Sequence, residues 1–213
     1  MDEFRLIERF FRRDSKSFQV VVGIGDDGAV VKADTNEQTI LVTDTMVADV
    51  HFPERTAPQD LGYKLLAVNL SDLAAMGATP NWFLLNLVIP DADENWLEEF
   101  STGLFSLAEE FGVELIGGDT ARGPLCLSAT VGGHVKSGTA LMRNGAQAGD
   151  QLWVSGTLGD AAIGLDLVGG VLGANDHDMD YLVGRLNRPI PRIELGLSLS
   201  AVATSCIDIS DGL

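Results

Sequence analysis

Aspartates recur at one kind of place along this chain. Asp26 and Asp27 follow a short apolar run and sit inside Gly23-Ile-Gly-Asp-Asp-Gly28. Asp44 ends another such run between Thr43 and Thr45, Asp119 follows Gly117 and Gly118, and Asp208 and Asp211 bracket Ser210. Asp72 lies one helical turn beyond Asn69, so the two share a face of a helix. A lone aspartate after a strand is ordinarily a turn or cap residue, because its carboxylate satisfies nearby backbone N–H groups. As a set these residues offer hard oxygen donors, the kind that suit Mg2+, which keeps part of its water and takes further oxygens from phosphates. The neighbouring glycines let a phosphate approach the backbone closely. The expected chemistry is therefore that of phosphates, with divalent cations between the acids and the substrate.

Three other phosphate or cation motifs are set aside. Gly23-x-Gly25-x-x-Gly28 has the spacing of a dinucleotide fingerprint, but that fingerprint opens a helix whose N-terminus meets the pyrophosphate. Here residues 29–32 read as strand, and Asp26 and Asp27 would aim charge at an anion. There is no Gly-x-x-x-x-Gly-Lys-Ser/Thr segment. Asp176-x-Asp178-x-Asp180 begins like a calcium loop, yet Tyr181 stands where glycine is needed and Asn187 where the closing acid belongs. A solvated surface loop is expected there.

Strands and helices must position these acids. Phe4, Ile7, Phe10 and Phe11 fall on one face of a short helix. Hydrophobic patterning predicts strands over 20–22, 39–43, 82–89, 113–116, 125–135, 151–155 and 206–209. It predicts helices over 61–76, 94–111, 160–168, 180–187 and 192–203. Asp60 is expected to cap the first long helix and Gly77 with Pro80 to end it, while Gly112 closes the second. Alternation of strands and helices makes the expected fold class α/β or α+β. The polar, glycine-bearing stretch 136–150 marks a crossing between domains of residues 1–137 and 138–213.

The chain of 213 residues is long enough to bury a core without staples. Its 31 acids against 14 bases give a formal net charge of -17, which argues against nucleic acid or an anionic membrane as partner, since both need a basic face. Cys126 and Cys206 form no recognisable disulfide or metal pattern, and the charged N-terminus lacks a signal-peptide core, so a reduced cytoplasmic setting is expected. The longest apolar run, 82–89, is too short to span a bilayer.

In chain order, several segments resemble the motifs of the thiamine-monophosphate kinase family, a branch of the aminoimidazole ribonucleotide synthetase superfamily. They are Gly23-Ile-Gly-Asp-Asp-Gly-Ala-Val30, Thr43-Asp-Thr-Met-Val47, His51-Phe52, Asn69-Leu-Ser-Asp-Leu-Ala-Ala-Met-Gly-Ala78, Gly117-Gly-Asp-Thr120 and Ile209-Ser-Asp-Gly-Leu213. The resemblance covers essentially the whole chain. It implies an N-terminal ATP- and Mg2+-binding domain with a mixed sheet flanked by helices, a homodimer formed by strands of that domain, and the start of a C-terminal α/β domain. The implied reaction transfers the γ-phosphoryl group of ATP to thiamine monophosphate, giving thiamine diphosphate. By motif match, Asp27, Thr43, Asp44, Asp72, Asp119, Asp208 and Asp211 would bind Mg2+. Gly118, Asp119, Arg143 and Ser210 would contact ATP, and His51 would lie on the thiamine phosphate side. The resemblance also implies a longer protein, with a later Gly-Gly-Glu-Asp-Tyr segment and an aromatic residue near the thiamine ring, so part of the substrate pocket is expected to be missing here and turnover impaired. Two other readings stay open: another ATP-using synthetase of the superfamily, and a Mg-nucleotide-binding protein without turnover.

Overall fold

Alternating side chains on a sheet and leucine-rich stripes on two helices bury one another, and this places the acids. The structure is a computed structural model in which residues 3–26, 28–32, 34–210 and 212–213 are described. Helix α1 (Glu3–Leu6) widens into a π turn (Ile7–Phe11), followed by the antiparallel ribbon of β1 (Val20–Val22) and β2 (Val30–Val31). Then come β3 (Glu37–Val47), α2 (Pro58–Ala75), β4 (Thr79–Ile89), α3 (Glu94–Phe111), β5 (Glu114–Arg122) and β6 (Cys126–Lys136). The sheet order is β3-β6-β4-β5. β6 runs antiparallel to both neighbours and β4 parallel to β5, with α3 as the crossover that a parallel pair requires. The fold class is thus mixed α/β, as expected.

Phe83, Leu85 and Leu87 of β4 and Leu127, Ala129 and Val131 of β6 alternate onto one buried face. Leu61, Leu65, Leu66, Leu70 and Leu73 of α2 and Leu97, Phe100, Leu104 and Leu107 of α3 cover it at helical spacing. The two helices meet backbone to backbone. A Cβ on Gly62 would lie 2.1 Å from the Phe100 carbonyl oxygen, and one on Gly103 1.8 Å from that of Gln59. Asp93 caps α3 by accepting from the N–H groups of Asn95 and Trp96 at 2.9 and 3.2 Å, and Gly112, at φ 64°, ends it. Helices α4 (Asp160–Val168), α5 (Asp176–Asn187) and α6 (Ile193–Leu199) follow. Gly196 of α6 lies so close to α2 that a Cβ there would stand 2.0 Å from the Ala74 carbonyl oxygen. Arg188 donates to Asp60 Oδ1 at 2.6 Å while its guanidinium covers the Tyr63 ring.

Several expectations are corrected. β3 and β5 are longer than the apolar runs suggested, so Asp44 and Asp119 lie within strands rather than after them. Polar residues on the uncovered sheet face hid the continuation. Asp60 does not cap α2: Pro58, with its fixed φ, starts the helix, and Asp60 is bound by Arg188. Asp176-x-Asp178-x-Asp180 is the first turn of α5, not a loop. Asn175 caps it by accepting from the Asp178 N–H at 3.0 Å, and acids are favourable at a helix N-terminus. Residues 151–155 and 206–209 form no strand among the described residues, because neither finds a ladder partner, and Trp153 is 82% exposed. Phe4 points outward while Leu6, Phe10 and Phe11 are buried, since the wider π turn rotates the face.

Gly103→Ala tests the helix contact. Helix propensity alone would favour alanine by about 1 kcal/mol. The collision with the Gln59 carbonyl outweighs this, and chemical denaturation is expected to show a net loss of about 2 kcal/mol or more. Unchanged stability would contradict the packing.

Candidate functional site

Three elements of different origin bring carboxylates together. Asp44 of β3 pairs in register with Ala129 of β6, which pairs with buried Leu85 of β4, so Asp44 points to the face covered by α2. Asp72 stands near the C-terminal end of α2. The segment after α6 returns to place Asp208 beside both. Asp72 is half-buried, hydrogen-bonded to the Asp208 side chain, and within the fields of Asp208 and Asp44. Its pKa is pushed up to about 6, first by burial, then by the charges of Asp208 and Asp44 and the bond to Asp208. Two carboxyl groups share a hydrogen bond only if one of them keeps its proton, and such sharing pushes the Asp72 carboxyl in the upward direction seen. The Asp44 carboxyl is also raised above its ordinary value, by burial first and then by Asp208, with His51 opposing.

A tight turn after β3 returns His51 to this place. Asp49 adopts the left-handed conformation, φ 59°, donates its N–H to the Phe52 carbonyl at 2.8 Å, and accepts from the Glu54 N–H at 3.2 Å. Buried Phe52 anchors the turn. His51 Nδ1 accepts the Val47 N–H at 3.1 Å, which leaves the proton of the neutral ring on Nε2.

Among the described residues no ready-made group of three or more His, Cys, Asp or Glu side chains stands at metal-holding distances. Asp27 and Asp211, both expected ligands, lie outside the described residues. The donor chemistry of the cluster nevertheless fits a hard cation. Asp44, Asp72 and Asp208 are oxygen donors; burial first and mutual repulsion second raise the Asp44 and Asp72 carboxyls, and a divalent charge among them would offset both. One turn away, buried Asn69 donates Nδ2 to the Leu65 carbonyl at 2.9 Å while its Oδ1 has no partner among the described residues.

The other expected residues lie apart. Asp119 is exposed in the cross-strand row Thr45, Ser128, Asn86, Asp119, on the sheet face opposite the helices and three strands from β3, about 14 Å at ordinary strand spacing. Thr43 projects its hydroxyl to the same open face, donating to the Ala129 carbonyl at 3.0 Å and accepting from Thr130 at 3.2 Å. Gly118, at φ 147°, has a structural requirement of its own, because a Cβ there would lie 1.9 Å from the Leu85 carbonyl oxygen. Asp26, Arg143 and Ser210 are exposed. Sequence reasoning passed over Ser205, whose Oγ sits 2.9 Å from the carbonyls of both Met142 and Arg143. No spacing signal distinguished it from any other serine.

Residues 25–141 match the family model described as AIR synthase related protein, N-terminal domain. Over 213 residues the chain is 50% identical to the thiamine-monophosphate kinase of Escherichia coli strain K12, covering 99% of this chain and 66% of that relative. The crystal structure of thiamine-monophosphate kinase from Stenotrophomonas maltophilia K279a superposes with a TM-score of 0.87 at 49% identity, over 93% of this chain and 64% of that one. A structure described as AaThiL complexed with AMPPCP and TMP gives 0.79 at 32% identity, over 85% and 59%. The chain spans about two thirds of the length of the curated relatives it matches.

The raised carboxyl of Asp72 carries a pH dependence. Its folded pKa exceeds the unfolded one, so the stability it contributes is fully present below 3.8 and is lost as pH rises through about 6. Without divalent cations, Asp72→Asn is expected to remove a decline of about 1–2 kcal/mol, after solvent screening, across that window. Thermal melts of both proteins from pH 4 to 7 check this, and parallel curves would count against the cluster.

Proposed function

The chain belongs to the thiamine-monophosphate kinase family, within the AIR synthase related proteins, and from that premise we propose that it carries the nucleotide- and cation-handling groups of an ATP-dependent kinase for thiamine monophosphate. The observation that carries this reading is the meeting of Asp44, Asp72 and Asp208 beside His51. AMPPCP, bound by one structural relative, keeps the triphosphate outline of ATP, and TMP in the same complex supplies a phosphate acceptor.

The acceptor atom in this reaction is a phosphate oxygen, ionised near neutral pH, so the protein needs no strong general base. Its tasks are alignment of two polyanions and relief of the repulsion between them. Mg2+ held by Asp44, Asp72 and Asp208, with Asp27 and Asp211 as further ligands, would supply positive charge between the phosphates, while Thr43 and Asp119, on the opposite face of the sheet, would serve a separate cation. Asp72 gives up its proton above about pH 6, which makes its carboxylate available under physiological conditions. His51, whose Nδ1 accepts the Val47 N–H, presents its Nε2–H as a hydrogen-bond donor to the thiamine phosphate. The exposed Arg143 presents a planar donor fork suited to phosphate, and Gly118, Asp119 and Ser210 complete the ATP contacts. Transfer then proceeds in line from the γ-phosphoryl group to the acceptor oxygen.

The proposal includes a homodimer built on residues 1–137, with 138–213 in a second domain. The uncovered sheet face supports it: Leu41 is 61% exposed there, among Thr43, Thr45 and Thr130. A cytoplasmic setting accords with the sequence reading, and no helix among the described residues is long and apolar enough to cross a membrane.

A coupled assay of the full-length protein with Mg2+, ATP and thiamine monophosphate is expected to release ADP and thiamine diphosphate. Asp72→Asn is expected to cut the rate by at least about a hundredfold while the protein stays folded. ADP release only with a different acceptor would overturn the substrate assignment, and full activity of Asp72→Asn would overturn the site.

A further inference from the structure

The loop carrying Arg143 and the segment carrying Asp208 are stitched together by contacts the reaction chemistry does not use. The Leu141 N–H donates to the Met76 carbonyl at 3.0 Å, which ties the loop to the turn ending α2, close to Asp72. Ser205 Oγ donates between two carbonyls, of Met142 and Arg143, each at 2.9 Å. The Cys206 N–H adds a longer bond to the Met142 carbonyl, 3.3 Å. Thr204 donates its hydroxyl to Asp150 Oδ2 at 2.7 Å, and the same oxygen accepts the Gln147 N–H at 3.0 Å. Gly145 passes close enough that a Cβ would lie 1.8 Å from the Thr204 carbonyl oxygen. Asp208 then closes a ring by its bond to Asp72. Followed round, the links run Asp72, Met76, Leu141, Arg143, Ser205, Asp208 and back to Asp72.

We propose that Ser205 is a positioning residue: its hydroxyl fixes the backbone that carries Arg143 to the segment that carries Asp208, and so holds the guanidinium and the carboxylate cluster at a set separation for a nucleoside triphosphate with its divalent cation. The inference rests on the nucleotide reading above. Ser205 touches no reacting atom. Its effect comes from pre-organisation, because a loop already held in the binding conformation loses less freedom when the ligand arrives. Arg143 is exposed, and although the Leu141 and Cys206 N–H bonds and the Asp150 contacts also hold its loop, among the described residues the Arg143 carbonyl itself is gripped by the Ser205 hydroxyl.

The test is titration calorimetry with Mg2+ and AMPPCP, a ligand pair that binds without turnover. Ser205→Ala is expected to weaken binding about tenfold with little change in melting temperature, and Ser205→Thr, which keeps the hydroxyl, to restore it. Ser205→Ala is expected to add nothing to the loss caused by Arg143→Ala, because it acts through that residue. Should Ser205→Ala unfold the protein, Thr204→Val cuts the neighbouring stitch and carries the same expectation. Wild-type affinity in Ser205→Ala, or losses that simply multiply in the double variant, would overturn the positioning role. Failure of the wild-type protein to bind Mg2+ with AMPPCP at all is a different outcome, which removes the nucleotide reading and this inference with it.

Discussion

Repulsion among Asp44, Asp72 and Asp208 is the constraint around which the rest of the molecule is arranged. Burial of these carboxyls, with the charges of their neighbours added to it, disfavours the ionised state and raises Asp44 and Asp72. The fold withstands this because α2, which carries Asp72, is anchored by Leu61, Leu65, Leu66, Leu70 and Leu73, each buried against α3 or the sheet. At about 1.5–3 kcal/mol for each such side chain, the leucine stripe outweighs the electrostatic penalty and keeps the carboxylates where they would not stay by themselves. A proton on Asp72 lowers the strain in the absence of cations, and the raised pKa is its record.

The sheet separates two kinds of chemistry. Its helix-covered face holds the apolar core and, at the β3 edge, Asp44; its open face is lined by threonine, serine, asparagine and Asp119. Side chains one residue apart on β3, Thr43 and Asp44, therefore serve different surroundings. The same alternation explains why neighbouring residues of one motif diverge in space, whereas Asp72 and Asp208 meet because the segment after α6 returns to the end of α2.

Much of this was legible in the residues. Periodicity located α2, α3 and α4, and Gly112 ended α3 as its lack of a Cβ allows. The recurrence of aspartates at strand ends and on one helix pointed to a cation site, and Asp44, Asp72 and Asp208 lie within one another's fields, although among the described residues they form no ready-made metal site. What the sequence hid were features decided by tertiary context. β3 and β5 run on through polar residues because hydrogen bonding to β6 and β4 sustains them without apolar alternation. The acids of residues 176–180 read as loop because composition cannot tell a charged helix start from a solvated turn until Asn175 is seen capping it. Segments 151–155 and 206–209 have strand-like side chains, but a strand exists only with a neighbour. Ser205 carried no signal, since its role depends on two carbonyls more than sixty positions away.

The central claim is that Asp72 sits in a crowded carboxylate cluster able to take a cation. It is tested most directly by following the Asp72 side-chain carboxyl carbon by NMR through a pH titration, with and without Mg2+. The account predicts a midpoint near 6 in the metal-free protein and a clear fall when Mg2+ is added. A midpoint close to the ordinary 3.8 in both conditions would contradict it.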